Sequence, residues 1–503
     1  MRAGPGDRAA VKNRFAAFAL GALAAAGFAP LDLWPATILA FAAFLWLLRG
    51  AARLRGALGL GWWFGVGHFV FGLNWIATAF YYQSAMPHWL GWIAVVLLAL
   101  YLALYPAIAA GLAWRHGRGD ATAFALLFAV AWTLGEYMRG SFFTGFPWNP
   151  VGVVWLPLPP VARAAALVGT YGLTTLALLA SGALYLLARR HWRGAAALLA
   201  LPLIAGVAGL ATPPPPAGKG AVVRVVQPNI GQQEKWSPAF DARNFMRLAA
   251  LSGEPGAAPR LLLWPEAAVS DFLEDDPAAR ARLARLLGPR DLLMTGGTRI
   301  EWSTGGRPIG ARNSLFVLDA TGRILSYYDK AHLVPYGEYL PMRPVLSLLG
   351  LSRLAPGDLD FWPGPGPRTL ALPGFGTAAI QICYEIIFSG HVVDRAHRPD
   401  FLFNPSNDAW FGPTGPPQHL AQARLRAIEE GLPIVRATPT GISAVIDAEG
   451  RVLASVPLHR AGVIDRALPL PRAPTPFARF GNSLPCLFAS LLAVVAILWQ
   501  RRR

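Results

Sequence analysis

The stretch AAIQICYEIIF (378–388) places Cys383 at the end of an apolar run, directly before Tyr384 and Glu385. The sequence contains one other cysteine, Cys486, at the start of the last apolar segment. Three interpretations of Cys383 are open: a buried core thiol, half of a disulfide, or a nucleophile. Free cysteine is among the most buried residue types, so the stretch taken alone favours a core thiol. A disulfide would tie a soluble domain to a membrane segment, and no nearby Cys or His has the spacing of a metal site.

The composition indicates a membrane protein with more than one domain. Of 503 residues, 54% are hydrophobic and only 15% charged, whereas soluble domains usually contain about 25% charged residues. The net charge of +17 is uneven: residues 212–484 contain 28 Lys/Arg and 24 Asp/Glu, a net of +4, which leaves +13 for the apolar parts. Positive charge in the loops of a membrane region reflects topology, so we expect no nucleic-acid partner.

Eight apolar segments predict transmembrane helices, for which ~20 residues are needed. They are 14–30, 36–49, 57–80, 89–114, 121–138, 161–188, 195–211 and 485–500. Arg and Lys concentrate at both termini and in alternate loops. By the positive-inside rule, we expect both termini in the cytoplasm and residues 212–484 outside it.

The residues between the seventh and eighth segments have a different character. A proline-rich linker, ATPPPPAGKG (211–220), is followed by short β-branched runs that alternate with Gly/Pro/Asn breaks and a few helical stretches. This alternation predicts a layered α/β domain. We therefore expect three parts: a membrane domain 1–211 with seven helices, a soluble domain 212–484, and a C-terminal membrane helix with a basic tail, 485–503.

Two further ionisable residues follow apolar runs that are typical of strands. Glu266 ends RLLLWPE (260–266), and Lys330 ends ILSYYDK (324–330). Each alone is an ordinary loop charge. A nucleophilic cysteine, however, needs a base and a cation, and sites in layered α/β folds collect where strands end. The three positions together favour a nucleophile over a core thiol.

These segments resemble the nitrilase superfamily, whose members use a Glu–Lys–Cys triad on an αββα sandwich. The resemblance covers 221–466 and includes VVQPNIGQQEKW (225–236) and NPSNDAWFG (404–412). It implies that Glu266 is the general base, Lys330 the stabilising cation and Cys383 the nucleophile. Lys330 is then expected to lower the pKa of Cys383. The resemblance also gives Glu338, in PYGEYLP, a supporting role.

A nitrilase-like domain preceded by seven spans and followed by one resembles the apolipoprotein N-acyltransferases, as do GFPWNP (145–150) and FARFGN (477–482). This resemblance implies a bacterial inner-membrane enzyme with a periplasmic catalytic domain. It implies a phospholipid acyl donor, a diacylated apolipoprotein acceptor and a thioester intermediate, with no cofactor and no metal. We expect a monomer.

Several further residues are candidates for roles around the triad. Tyr384 and Glu385 flank the nucleophile and are predicted to support it, Tyr384 by lining an acyl pocket or through its backbone N–H. Aromatic and polar loop residues are predicted to bind lipid or to anchor at the membrane surface: Trp236, Trp410, Phe411, Trp148 and Asn149.

Two alternatives remain open. A membrane-tethered amidase or nitrilase acting on a soluble substrate would use the same triad, because hydrolysis only replaces the amine with water; one span would suffice as its tether. A transporter with an outside binding domain would place ionisable residues within its spans. The predicted spans are almost free of charge, which disfavours the transporter.

Overall fold

The computed structural model describes residues 5–82, 86–213, 220–235, 237–349, 353–354 and 359–501. The chain forms two compact units. The first, the helical unit, comprises Met1–Ala77, Gly91–Pro213 and Thr475–Arg503; the second, the sheet unit, comprises Thr78–Leu90 and Pro214–Pro474.

The helical unit contains nine longer helices within the described residues. They are Pro5–Ala25, Trp34–Arg49, Leu54–Gly72, Leu90–Leu102, Leu104–Gly117, Ala121–Ser141, Ala165–Ala188, Trp192–Leu210 and Ser483–Arg501. Close helix packing depends on small residues: a Cβ on Gly61 would lie 2.6 Å from both the Ala110 Cβ and the Pro106 carbonyl oxygen. Such contacts are typical of helices that associate in a membrane.

Within the described residues, five helical segments are long and apolar enough to cross a membrane: Leu90–Gly117, in which Leu90–Leu102 and Leu104–Gly117 are taken together, Ala121–Ser141, Ala165–Ala188, Trp192–Leu210 and Ser483–Arg501. A sixth crossing results if Leu54–Gly72 and Ile76–Tyr82, bent by 50°, form one span. The predicted eight crossings are therefore not confirmed. Helix Trp34–Arg49 has only 16 residues, and Pro5–Ala25 carries Arg8, Lys12 and Arg14, so both fall short of the ~20 apolar residues that a span requires.

The sheet unit contains two six-stranded sheets. The first has the order β12-β1-β2-β3-β4-β5 and the second β11-β10-β9-β8-β7-β6. The strands are β1 Val222–Gln227, β2 Arg260–Leu263, β3 Leu292–Trp302, β4 Pro308–Asp319, β5 Ile324–Asp329, β6 Thr369–Leu372, β7 Gly376–Ile380, β8 Phe401–Pro405, β9 Ile434–Ala437, β10 Ser443–Ile446, β11 Val452–Val456 and β12 Gly462–Ala467. In each sheet three central strands are parallel, β1–β2–β3 and β7–β8–β9, and the outer pairings are antiparallel.

The sheets stack between helical layers. Helices Asp241–Ser252 and Pro277–Ala284 share an apolar core with the first sheet, including Leu248, Leu283 and Trp264. Helix Gly415–Glu430 packs on β9 of the second sheet, while β1 contacts β9 and β10 across the interface between the sheets. At this interface the Gln227 side chain accepts a hydrogen bond from the backbone N–H of Ser443 at 2.9 Å. The unit is thus the layered α/β domain that the strand and helix pattern predicted, in the four-layered αββα form that the family resemblance implied.

Candidate active site

The predicted triad residues follow three different strands. Glu266 comes just after β2, Lys330 directly after β5, and Cys383 shortly after β7 in the second sheet. All three are at least nine-tenths buried. Glu266 and Lys330 follow strands of the first sheet and Cys383 a strand of the second, and the charges of Glu266 and Lys330 both act on Cys383.

Four polar side chains form what we call the carboxylate–lysine cluster: Glu266, Lys330, Glu338 and Asn313. Lys330 Nζ donates to Glu338 Oε1 at 2.9 Å and lies 3.7 Å from Glu266 Oε1. Asn313 Nδ2, on β4, donates to Glu266 Oε1 at 2.7 Å and to Glu338 Oε1 at 2.9 Å. Asn313 therefore ties the two carboxylates together.

The cluster keeps Lys330 cationic. Burial alone lowers the pKa of Lys330, but the negative charges of Glu338 and Glu266 outweigh burial and raise it above the ordinary value. Glu266 Oε2, in contrast, is buried without a hydrogen-bond partner among the described residues. Leaving a buried carboxylate oxygen without a hydrogen-bond donor costs folding free energy. Such an unpaired oxygen is suited to accept a proton.

Cys383 opens a short 3-10 helix, Cys383–Ile387, with a φ of +51°. This left-handed conformation is strained for a non-glycine residue and is typical of functional turns. Burial, and then the charge of Glu266, raise the pKa of the thiol, and the opposing effect of Lys330 does not compensate. Lys330 thus lowers the pKa of the thiol, as expected, but the expectation that this pKa falls below its ordinary value is wrong for the free enzyme, because burial and Glu266 outweigh Lys330.

A second group of buried side chains, which we call the backing network, holds the Cys383 backbone: Asn404, Asp408, His419 and Arg436. His419 Nε2 lies 3.1 Å from the Cys383 carbonyl oxygen, and His419 Nδ1 lies 2.9 Å from Asp408 Oδ1. Arg436 Nη2 donates to Asp408 Oδ2 at 2.8 Å, and Arg436 also bonds to Asn404. Burial raises the pKa of Asp408, but Arg436 and His419 outweigh it and lower it to about 2, so Asp408 is ionised.

Glu385 links the nucleophile turn to the segment that carries Lys330. Its Oε1 accepts from Tyr328 Oη at 2.9 Å and from the N–H groups of Ala331 and His332 at 2.7 and 3.0 Å. Its Oε2 accepts from Ile382 N at 2.7 Å. Both carboxylate oxygens of Glu385 are therefore engaged in hydrogen bonds, from four donors in all.

A second lysine, Lys235, lies on the other side of Glu266. Its Nζ donates to the Glu266 carbonyl oxygen at 2.7 Å. Lys235 and Glu266 both line a cavity of about 370 Å³, whose other walls include Phe245 and Asn244. The sequence analysis did not single out this residue.

The aromatic candidates lie in different surroundings. The Tyr384 ring is 5.2 Å from that of Phe388, and the Phe411 ring is 5.4 Å from that of His419. The Trp410 ring lies 5.7 Å from that of Tyr82 within the sheet unit. Trp236 lies outside the described residues.

Trp148 and Asn149 belong to the helical unit and are buried there. The Trp148 ring is 4.4 Å from that of Trp75, and Asn149 Nδ2 donates to the Gly72 carbonyl oxygen at 3.3 Å. Arg139 Nη1 donates to the Trp148 carbonyl oxygen at 2.9 Å. Through these contacts Trp148 and Asn149 pack inside the helical unit, and Arg139 holds the backbone of the GFPWNP loop.

Sequence reasoning missed Asn313, the backing network and Lys235. Asp408 stands within the quoted NPSNDAWFG run, but nothing in that run connects it to His419 or Arg436. A signal for Lys235 was present, because the sequence contains 41 arginines and only four lysines. A lysine in such a chain is an exception.

Comparison with known proteins first defines the class of the sheet unit. Residues 222–474 match the family model described as carbon-nitrogen hydrolase, in agreement with the two stacked sheets. A solved amidase from Nesterenkonia sp. is 18% identical, with a TM-score of 0.34, over 54% of this chain and 96% of the amidase.

The helical part narrows this class. Residues 20–183 match the model described as apolipoprotein N-acyltransferase N-terminal domain. Relatives named apolipoprotein N-acyltransferase include one from Bradyrhizobium diazoefficiens, 40% identical over 98% of this chain and 95% of the relative. Another, from Rhodopseudomonas palustris, is 37% identical over 98% of this chain and 96% of the relative. The chain belongs to the apolipoprotein N-acyltransferase family.

Proposed function

We propose that this protein transfers a fatty acyl chain from a phospholipid to the N-terminal α-amine of a diacylglyceryl-cysteine lipoprotein, through a thioester on Cys383. The observation that carries the proposal is the convergence of the buried Cys383 thiol with the carboxylate–lysine cluster, in a chain of this family. The charges of Glu266 and Lys330 both act on the thiol.

In the first half-reaction Cys383 Sγ attacks the ester carbonyl carbon of the phospholipid. Glu266 accepts the thiol proton as the S–C bond forms, which overcomes the raised pKa of the thiol. Lys330 stabilises the developing oxyanion. The tetrahedral intermediate then breaks its bond to the glycerol oxygen, which takes the proton from Glu266. The products are a lysophospholipid and the acyl thioester of Cys383.

In the second half-reaction the neutral α-amine of the acceptor attacks the thioester carbonyl. Glu266 accepts a proton from the attacking nitrogen, the C–S bond breaks, and the departing sulfur is reprotonated. The products are an amide and the free thiol, which completes a ping-pong cycle. Water competes with the amine, and the burial of Cys383, only 5% exposed, reduces that competition.

Both proposed substrates are lipids, which accounts for the apolar helices. We propose eight crossings in the bacterial inner membrane, with both termini cytoplasmic and the catalytic domain, 212–484, in the periplasm. The domain boundaries at 211 and 485 and the monomeric state belong to this proposal. Its support is the distribution of Arg and Lys among the loops.

The test is the intact mass of the purified protein after incubation with phospholipid vesicles. We expect a gain of one fatty acyl chain that neutral hydroxylamine removes and that Cys383→Ala lacks. Adding a diacylated lipopeptide should move the chain onto the peptide amine. Active, lipid-bound protein that never forms the adduct would contradict the thioester mechanism.

The alternative is a membrane-tethered amidase acting on a soluble substrate. The carbon-nitrogen hydrolase match permits it, but the match of residues 20–183 to an acyltransferase domain favours transfer. The same experiment separates the two, because a hydrolase would release the acyl chain as free fatty acid in the presence of the lipopeptide.

A further inference from the structure

Lys235 occupies a position that an ordinary surface lysine does not. It is buried, at the end of the short helix Gln232–Lys235. The chain has 41 arginines against four lysines, and the two lysines described in the sheet unit, Lys330 and Lys235, both bond to the candidate active site. Lys12 lies exposed on helix Pro5–Ala25, and Lys219 lies outside the described residues. A compact ammonium fits where a planar guanidinium does not.

Lys235 contacts the backbone of Glu266, the proposed general base. Its Nζ donates to the carbonyl oxygen of Glu266 at 2.7 Å. The next residue, Ala267, has a φ of +45°, and a Cβ on Gly296 would lie 2.3 Å from Ala267 N. The backbone that carries Glu266 is therefore strained and tightly packed, and the bond from Lys235 helps to fix it.

The same short helix reaches the second sheet. Gln232 Oε1 accepts from Asn407 Nδ2 at 2.7 Å, and Asn407 precedes Asp408 of the backing network. The helix Gln232–Lys235 thus connects the loop of the base with the loop behind the nucleophile.

The charge of Lys235 acts on both reacting groups. Burial lowers the pKa of Lys235 to about 8, while the charge of Glu266 and that of Cys383 in its ionised form oppose the shift. Such an interaction is mutual, so protonated Lys235 favours the ionised sulfur. The other charged residues around its cavity are Asp241 and the ion pair of Arg282 with Asp271, at 2.6 Å.

We propose that Lys235 is a second positive charge of the active site, a positioning residue that fixes Glu266 through its carbonyl oxygen and stabilises the Cys383 thiolate as it forms. The inference rests on the proposed thioester mechanism. It assigns distinct tasks to the two lysines: Lys330 contacts the carboxylates, and Lys235 contacts the backbone that presents one of them.

The test uses full-length protein in a Cys486→Ala background, so that Cys383 is the only thiol. Two quantities are measured between pH 6 and 11: the rate of Cys383 alkylation by iodoacetamide and the burst of lysophospholipid that reports acyl-enzyme formation. In Lys235→Met we expect the rate of alkylation below about pH 8, where Lys235 is charged, to fall about tenfold, the two proteins to converge at higher pH, and the burst at pH 7 to slow about tenfold. A purely structural role would not move the pH profile of the sulfur.

Two controls keep the outcomes distinct. Lys12→Met removes an exposed lysine and should leave both quantities unchanged. Lys235→Gln retains an N–H donor without charge and replaces Lys235→Met if that variant fails to fold, as judged by its melting temperature. A folded, uncharged variant with the native alkylation profile and burst overturns the inference. A native protein that forms no acyl adduct, or an adduct that persists in Cys383→Ala, overturns the proposed function instead.

Discussion

The carboxylate–lysine cluster and the backing network flank the same cysteine but differ in how completely their polar atoms are paired. In the backing network every buried side-chain N and O atom of Asn404, Asp408, His419 and Arg436 has a partner among the described residues. In the carboxylate–lysine cluster Glu266 Oε2 and Asn313 Oδ1 have none among those residues. Buried polar groups are normally paired, so the unpaired atoms mark the side of Cys383 where chemistry is expected.

This difference indicates that the backing network holds the backbone of Cys383, whereas the carboxylate–lysine cluster takes part in the proposed reaction. A saturated buried network rigidifies its surroundings, and this one bonds to the Cys383 carbonyl oxygen. The other cluster faces the thiol with groups that can exchange a proton. Substitutions in the two groups should therefore affect stability and activity in different proportions.

The largest effect is expected for Cys383→Ala, because the proposed thioester forms on this thiol. Acyl transfer should fall by about 10⁴-fold or more, and the mass gain with phospholipid should vanish. Cys486→Ala is the matched control and should retain both. Residual adduct in Cys383→Ala would place the nucleophile elsewhere.

Glu266→Gln should follow, with a loss of about 10² to 10⁴-fold in acyl transfer, as for removal of a general base. The same change removes a negative charge that raises the pKa of Cys383. The thiol pKa should therefore fall, and alkylation by iodoacetamide should begin at lower pH although turnover is lost. Glu234→Gln, which alters an exposed ion pair with Arg243, is the control and should change neither quantity. A rise in the alkylation pH would contradict the assigned charge effect.

Asp408→Asn tests the backing network. It leaves the Arg436 cation buried without its carboxylate, which should destabilise the sheet unit by about 3–5 kcal/mol and lower the melting temperature. Acyl transfer should fall by about 10²-fold, because small misplacements of a nucleophile are costly. Glu266→Gln should leave the melting temperature near the native value. Equal losses of stability in the two variants would contradict the conclusion that the two groups have different tasks.

Asp465→Asn is the matched control for this experiment. Asp465 forms an exposed ion pair with Arg224 at 3.1 Å, and such pairs contribute about 0–1 kcal/mol. Its melting temperature and activity should both stay close to native.

The smallest effect is expected for Asn313→Ala. It removes two hydrogen bonds, one to Glu266 and one to Glu338. The bond to Glu266, which orients the proposed base, is worth about 1.5 kcal/mol, or about tenfold in acyl transfer. Asn313→Asp should be worse, because it adds a third carboxylate to the cluster and like charges repel. Equal activity in the two variants would show that the Asn313 bridge does not order the carboxylates.

Local patterns in the sequence predicted the features that depend on neighbouring residues. The alternation of short strands and helices predicted a layered α/β domain, and the family resemblance implied its αββα form. Three ionisable residues after apolar runs, read with the same resemblance, indicated Glu266, Lys330 and Cys383 as the reacting groups. The number of membrane crossings stays a prediction, because hydropathy does not reveal that the helix predicted over 57–80 is bent after Gly72.

The interactions among these residues depend on the folded chain and were not predictable from local patterns. Asn313 joins two carboxylates from different loops, and His419 reaches the Cys383 carbonyl oxygen across 36 positions of sequence. The raised pKa of Cys383 depends on burial and on the geometry of its charged neighbours, which no local pattern contains. Electrostatic interactions depend on distance and desolvation in the folded state, and for that reason residue types alone could name the reacting groups but not their protonation.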